Sequence, residues 1–243
     1  MKNAVISLLI GSVGAFAPTT TNHPSSTKMS AAMDDLKSLA EKSNPVLKFY
    51  DPLELASTVS IWGNTNEQSI AFLRHSEIKH GRMAMAAFVG YIVQSNGIHF
   101  PWPISTDGTP FPSAAGSPPE QWDALSDAAK WQIILFIGFL EWFSEAAGTH
   151  YMRGGKPGAY PNFSDYGSLI PHPVPLNLFD PFGFSKNKSA EAKERGLVSE
   201  LNNGRLAQIG ILGFLAEQKV EGSVPLLHGL VSHYNGEPMA PFE

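Results

Sequence analysis

Glu77-Ile78-Lys79-His80-Gly81-Arg82-Met83-Ala84 and Glu200-Leu201-Asn202-Asn203-Gly204-Arg205-Leu206-Ala207 are two copies of one pattern in a 243-residue chain. A second pair of blocks precedes them in the same order. Phe49-Tyr50-Asp51-Pro52-Leu53-Glu54-Leu55 stands before the first copy, and Leu178-Phe179-Asp180-Pro181-Phe182-Gly183-Phe184 before the second. Matched blocks recurring in order imply a duplicated half. Spacing inside the motif assigns its residues to different tasks. Glu77 and Arg82 stand five residues apart, so on a helix they point about 140° away from each other. A bridge within one helix is therefore poor, and the duplication offers crossed pairs instead: Glu77 with Arg205, and Glu200 with Arg82. Gly81, Ala84 and Gly90 on one helix, with Gly204, Ala207, Gly210 and Gly213 on the other, allow close approach.

The motifs lie in two of three apolar concentrations. The first predicted helix runs over 66–94, the second over 127–148 and the third over 189–218. Each exceeds the roughly 20 residues needed to cross a bilayer, and the first and third are long enough to tilt or protrude. Trp62, Trp102, Trp122 and Trp142 sit near the expected interfaces. The stretch from Ile98 to Leu125 carries Asp107, Glu120 and Asp123 but no Lys or Arg. The connection before the third helix carries Arg153, Lys156, Lys186, Lys188, Lys193 and Arg195, and the segment before the first carries Lys37, Lys42 and Lys48. The Lys/Arg bias puts these two basic segments on one side. The expectation is an all-α membrane protein of three transmembrane helices, the first and third crossed and related by a parallel repeat. The connecting loops, rich in Pro and Gly, read as irregular.

Composition agrees with that class and excludes others. Charged residues make up 16% of the chain, below the roughly 25% of soluble domains. A net charge of -5 and a pI near 5.9 exclude a basic nucleic-acid footprint. The absence of cysteine excludes disulfides, thiolate metal sites and thiol catalysis. Residues 1–15 read as a signal peptide: Lys2, a short apolar run and small residues. Residues 16–30 are rich in Ser and Thr and lack acidic residues, a transit-like composition. Residues 31–243 form the single folded domain.

Glu77 and His80 are one turn apart on a shared face, as are Glu200 and Asn203. Each pair offers two Lewis bases. A chlorophyll magnesium has four ring nitrogens and one axial position, and magnesium favours oxygen donors, which suits the carboxylates and the Asn amide; the His80 imidazole can serve equally. A Glu neutralised by Arg can donate an oxygen without leaving net charge in lipid. Glu141 is a candidate ligand at membrane depth, whereas Glu145 reads as a solvated interfacial charge. Gln132 is a further candidate partner for a pigment. Glu217 either binds another pigment or ends its helix in solvent. His75, His99, His150, His228 and His233 read as exposed or interfacial.

Together these residues resemble the chlorophyll a/b and a/c light-harvesting superfamily, from Asp51 to the C-terminus. The resemblance implies magnesium ligation by Glu77, His80, Glu200 and Asn203, with Glu141 and Glu217 as additional ligands. It implies that Asp51-Pro52 and Asp180-Pro181 belong to segments that cradle carotenoids between the crossed helices. The run Asn202 to Gln208, the His150 to Gly158 loop and the ending Met239-Ala240-Pro241-Phe242 are similar to the fucoxanthin and peridinin chlorophyll a/c antennae. His228 and His233 do not align with the His that anchors a further pigment in green-lineage relatives. The implied cofactors are chlorophyll a, chlorophyll c and fucoxanthin or peridinin, with a xanthophyll-cycle carotenoid as a further candidate; the only metal is the magnesium within chlorophyll. The implied surroundings are the thylakoid lipid bilayer of a secondary-endosymbiosis plastid, other antenna subunits and a photosystem I or II core. The mature N-terminus would be stromal, and no catalytic residue is implied.

Within that resemblance, energy dissipation is the alternative to light harvesting. Outside it, Glu77-x-x-His80 matches half of a di-iron carboxylate site, but the second copy has Asn203 and only one additional helix exists. Gly154-Gly155-Lys156 fails as a phosphate loop because His150 replaces the first Gly and Pro157 follows the Lys. A transporter would explain intramembrane charge, but the crossed pairs already account for it.

Overall fold

The computed structural model describes residues 26–57, 63–112, 116–166, 177, 179–238 and 240–242, with side chains from residue 31 onward. The signal peptide, most of the transit-like segment, Trp62, Leu178 and Met239 lie outside the described residues. Among the described residues all regular structure is helical. The elements are α1 (Ser26–Ser43), α2 (Asn66–Ser95), α3 (Pro118–Asp123), α4 (Asp127–Ala146) and α5 (Ala190–Lys219), with 3-10 turns at Tyr151–Arg153 and Phe163–Tyr166.

Side-chain chemistry sets the starts of the long helices. Thr65 caps α2 through a reciprocal box, its Oγ1 accepting from Gln68 N while Gln68 Oε1 accepts from Thr65 N. Ser126 accepts from Ala129 N ahead of α4, and Ser189 from Ala192 N ahead of α5. Each such cap is worth about 1 kcal/mol. Helix α4 ends two residues before the predicted boundary because Ala147 turns extended and Gly148 takes φ +75°.

Helices α2 and α5 cross at their glycines. A Cβ added to Gly81 would lie 3.1 Å from Gly204 Cα, and one added to Gly204 would lie 2.9 Å from Gly81 Cα. The contact involves matching positions of the two repeats, so the pseudo-two-fold axis passes between them. Further along the same seam Ala84 and Ala207 are buried, and Tyr91 stacks on its repeat partner Phe214 with ring centres 4.8 Å apart. Small residues where backbones touch, and aromatic residues where the helices diverge, give this pair its crossed form.

The blocks ahead of the two helices fold alike. Asp51 Oδ2 accepts from Ala56 N at 2.8 Å, and Asp180 Oδ2 accepts from Ser185 N at 2.7 Å. Glu54 N donates to Asp51 O and Gly183 N to Asp180 O. Glu54 and Gly183 both adopt positive φ, 52° and 74°, where a glycine is at ease and a glutamate is not. Leu53, Leu55, Phe182 and Phe184 in these turns remain exposed.

Two elements depart from expectation. Helix α1 begins within the stretch read as transit-like and packs against both α2 and α5. A Lys42–Glu194 ion pair and a 3.0 Å bond from Asn202 Nδ2 to Ser43 O hold it there. The connection 98–125, read as irregular, contains α3, whose Glu120 carboxylate accepts the Ser117 N–H at 2.6 Å. Around α3 a polar end-cap forms: Tyr234 donates to Asp123 at 2.7 Å, Trp122 to Pro241 O at 3.0 Å, and the buried Lys130 to Asp123 O at 3.3 Å.

Helix α4 stands apart. None of its Cα atoms lies within 8 Å of another helix among the described residues. Trp131, Leu135, Phe136, Phe139 and Trp142 are all exposed. At one end Phe143 is buried against Tyr160, Phe163 and Tyr166. No helix among the described residues is long and apolar enough, on hydropathy alone, to cross a membrane. In α2 and α5 the cause is plain, because the repeated motif places a Glu and an Arg near the middle of each.

Candidate functional site

The charged residues of the motif meet across the crossing. Arg82 Nε donates to Glu200 Oε1 at 2.5 Å, and Arg205 Nε to Glu77 Oε1 at 2.8 Å. The pairs flank the Gly81–Gly204 contact on either side. Each carboxylate spends one oxygen on its arginine and keeps the other. The side chains are about a third exposed, Glu77 36% and Glu200 31%, so each free oxygen can be approached from outside the helix pair.

His80 and Asn203 are oriented by the same device. His80 Nδ1 lies 2.8 Å from Ser76 O and 3.2 Å from Ser76 Oγ. A carbonyl only accepts, so Nδ1 carries the proton and Nε2 presents a bare lone pair. Asn203 Nδ2 donates to Ser199 Oγ at 3.3 Å, leaving its amide oxygen outward. Ser76 and Ser199 are equivalent residues of the repeat. Sequence reasoning missed them, although an identical Ser precedes the Glu of both copies. Such outer partners fix the tautomer and direction of a metal ligand.

Glu141 on α4 joins the same scheme through a different cation. Lys79 of α2 reaches it at 2.5 Å and also contacts Glu145 at 3.2 Å. Glu141 remains exposed, so it too is a neutralised carboxylate with an oxygen to give. Glu145 is exposed, as expected of a solvated charge, but it is also paired. It contacts Lys79, His150 at 2.8 Å and His75 at 3.6 Å. His75 is buried rather than exposed, stacked on Tyr151 at 3.9 Å. Burial and the Glu145 carboxylate push the Tyr151 phenol up to about 12. Gln132 is exposed on α4 with no partner among the described residues.

Glu217 is corrected on its solvent-exposed reading. Its side chain is 1% exposed, so it does not end the helix in solvent. Its oxygens accept from Gly222 N at 2.9 Å and Val224 N at 2.7 Å. The carboxylate stitches the chain's turn after α5. His228 lies 3.5 Å from Glu217 and His233 2.9 Å from Asn235 Oδ1, both at the same end.

The donor set fits chlorophyll. Glu77, Glu200, Glu141, His80 and Asn203 are oxygen or imidazole bases, each held from one side and open on the other, with every carboxylate paired to a cation. It does not fit a di-iron centre: no group of three or more His, Asp or Glu able to hold a metal ion occurs among the described residues.

The family model for chlorophyll A-B binding proteins matches residues 10–219. The chain belongs to this family. It is 34% identical over 235 residues to a chloroplastic fucoxanthin-chlorophyll a-c binding protein of Trieres chinensis, covering 93% of this chain and 98% of the relative. It is 35% identical over 225 residues to fucoxanthin-chlorophyll a-c binding protein F of Phaeodactylum tricornutum, covering 90% and 96%. A relative from Macrocystis pyrifera is 29% identical, covering 95% and 97%.

Proposed function

We propose that this chain is a light-harvesting antenna protein that binds chlorophyll a, chlorophyll c and fucoxanthin in the thylakoid membrane and delivers excitation to a photosystem. The observation that carries this reading is the pair of crossed Glu–Arg bridges, each leaving one carboxylate oxygen open beside an oriented His80 or Asn203. Bound pigments supply the light absorption and excitation transfer. The protein's own residues hold them apart in fixed orientations. Glu77, Glu200 and Glu141 offer neutralised carboxylates, and His80 and Asn203 offer neutral bases. The turns at Asp51-Pro52 and Asp180-Pro181 present exposed apolar side chains to carotenoids. The fucoxanthin-binding relatives favour fucoxanthin over peridinin.

Three membrane crossings belong to this reading. Helices α2 and α5 are about 45 Å long and α4 about 30 Å, enough for a hydrocarbon core of about 30 Å. The mid-helix charges cross as pairs rather than as isolated ions, each of which would cost about 2.5–3.5 kcal/mol. The standing-off of α4, with exposed rings along its length, leaves a space between helices that suits pigment and lipid. The mature N-terminus and the segment 147–189 then face the stroma, and neighbouring antenna subunits and a photosystem core are the partners.

Purification of the protein in mild detergent, followed by pigment extraction and absorption spectroscopy, tests this. Blue-green carotenoid absorption with chlorophyll c is expected. A stably folded, colourless protein would sink the proposal.

A further inference from the structure

The two halves of the crossing are equivalent in sequence but not in support. Arg82 makes a second bond that Arg205 lacks among the described residues: its Nη1 donates to Gly158 O at 2.6 Å. Gly158 belongs to the connection between α4 and α5, far away in sequence. The same residue is held on its other side, where Gly158 N donates to His75 Nδ1 at 3.1 Å. Between these two bonds Gly158, at φ +75°, lies flat on Ile78, so a Cβ there would fall 2.8 Å from Ile78 Cγ2. His75, Ile78 and Arg82 lie on one face of α2. They grip a single glycine.

His75 is set for this contact. It is 5% exposed, and Tyr151 covers its ring. Because Nδ1 accepts the Gly158 N–H, the ring proton sits on Nε2, 3.6 Å from Glu145 Oε1. The repeat-equivalent position on α5 is Val198, which can accept nothing. The asymmetry is therefore written in the sequence, at one residue of each half.

We propose that His75 is a positioning residue that acts through the Gly158 peptide on Arg82, and through Arg82 on Glu200, so that the Glu200 pigment site is held more rigidly than its twin at Glu77. The inference rests on the ligation of chlorophyll by Glu77 and Glu200 proposed above. The chain of bonds runs from His75 Nδ1 to Gly158 N, from Gly158 O to Arg82 Nη1, and from Arg82 Nε to Glu200 Oε1. With two of its nitrogens fixed, the Arg82 guanidinium cannot swing, and the free oxygen of Glu200 keeps one direction. On the other side Arg205 is held by Glu77 alone among the described residues. A pigment site with one ligand direction gives a narrower absorption band than one whose ligand can rock.

The test uses the full pigment-loaded protein. E77Q and E200Q first assign the absorption bands, at low temperature, that depend on each carboxylate. H75L removes the acceptor for Gly158 N–H, and H75Q supplies another through its side-chain carbonyl. G158A displaces the same peptide from the other side and serves where H75L does not fold. The expected result is a broadened or shifted Glu200 band in H75L and in G158A, an unchanged Glu77 band, and recovery in H75Q. The inference is overturned if the Glu200 band is unmoved in H75L and G158A, if both bands move alike, or if H75Q behaves as H75L. If neither E77Q nor E200Q alters any band, ligation by these carboxylates falls, and this inference falls with it.

Discussion

Gly81 and Gly204 touch backbone to backbone, with 3.1 Å between the Cβ position of one and the Cα of the other. Nothing larger than hydrogen fits between α2 and α5 at that point. Gly81→Ala or Gly204→Ala should therefore push the helices apart, at a cost of about 1–3 kcal/mol. Thermal denaturation followed by loss of pigment circular dichroism measures this. A variant as stable as wild type would mean that the crossing is looser than the structure has it. Gly90, where an added Cβ meets nothing within 4 Å, is the control, and Gly90→Ala should not destabilise the crossing.

The bridges should obey charge-swap logic. Glu77→Arg and Arg205→Glu each leave two like charges at the crossing, and each should lower the yield of pigmented protein. The double exchange restores an ion pair with the same partners and should recover most of that loss. A coupling energy near zero in the double-mutant cycle would show that the two residues do not act as a pair.

Ligand removal should be selective. His80→Leu and Asn203→Leu each remove one base without disturbing an ion pair, so each should lose a single chlorophyll while the helical content stays constant. The pigment-to-protein ratio after extraction decides this. Glu217→Gln should weaken the turn at Gly222 and Val224 and lower stability, read as a lower midpoint of thermal unfolding.

The connection after α4 should respond to alkali. The Tyr151 phenol is pushed up to about 12 from its ordinary 10.0, so the folded protein retains this proton after the unfolded chain has lost it. The stabilising contribution is complete below pH 10 and is lost as the pH rises towards 12. Phenolate absorbance at high pH should lose one late-titrating tyrosine in Tyr151→Phe. If all tyrosines ionise together near their ordinary value, the packing of Tyr151 between His75 and His150 is not maintained in solution.

Much of this arrangement was legible in the sequence because duplication makes spacing meaningful. A Glu and an Arg that cannot pair on their own helix point to a partner with the same problem, and the structure brings those partners together. Helix limits were legible from the three apolar concentrations, and the structure sets the starts at the caps Thr65, Ser126 and Ser189. The residues whose partners were not read from the sequence share a different property. His75, Glu145 and Glu217 take their character from chain segments remote from them: Gly158 for His75, Lys79 and His150 for Glu145, and the turn after α5 for Glu217. No periodicity around a polar residue reveals whether a distant loop will fold over it. Helix α1 was hidden by composition, because its first residues share the Ser and Thr content of the segment before it.

The Gly81–Gly204 contact also works as a rivet. Helix α2 extends about 22 Å to either side of it, so each degree of scissoring between α2 and α5 carries the helix ends through roughly 0.4 Å. Motifs beside the rivet barely move, whereas the ends of α2 and α5 sweep furthest. Excitation transfer falls steeply with distance. The inner pigments would therefore keep nearly constant coupling while the outer ones are tuned by anything that leans on the ends of the blades, such as α1 at one end or the Tyr234–Asp123 cap at the other.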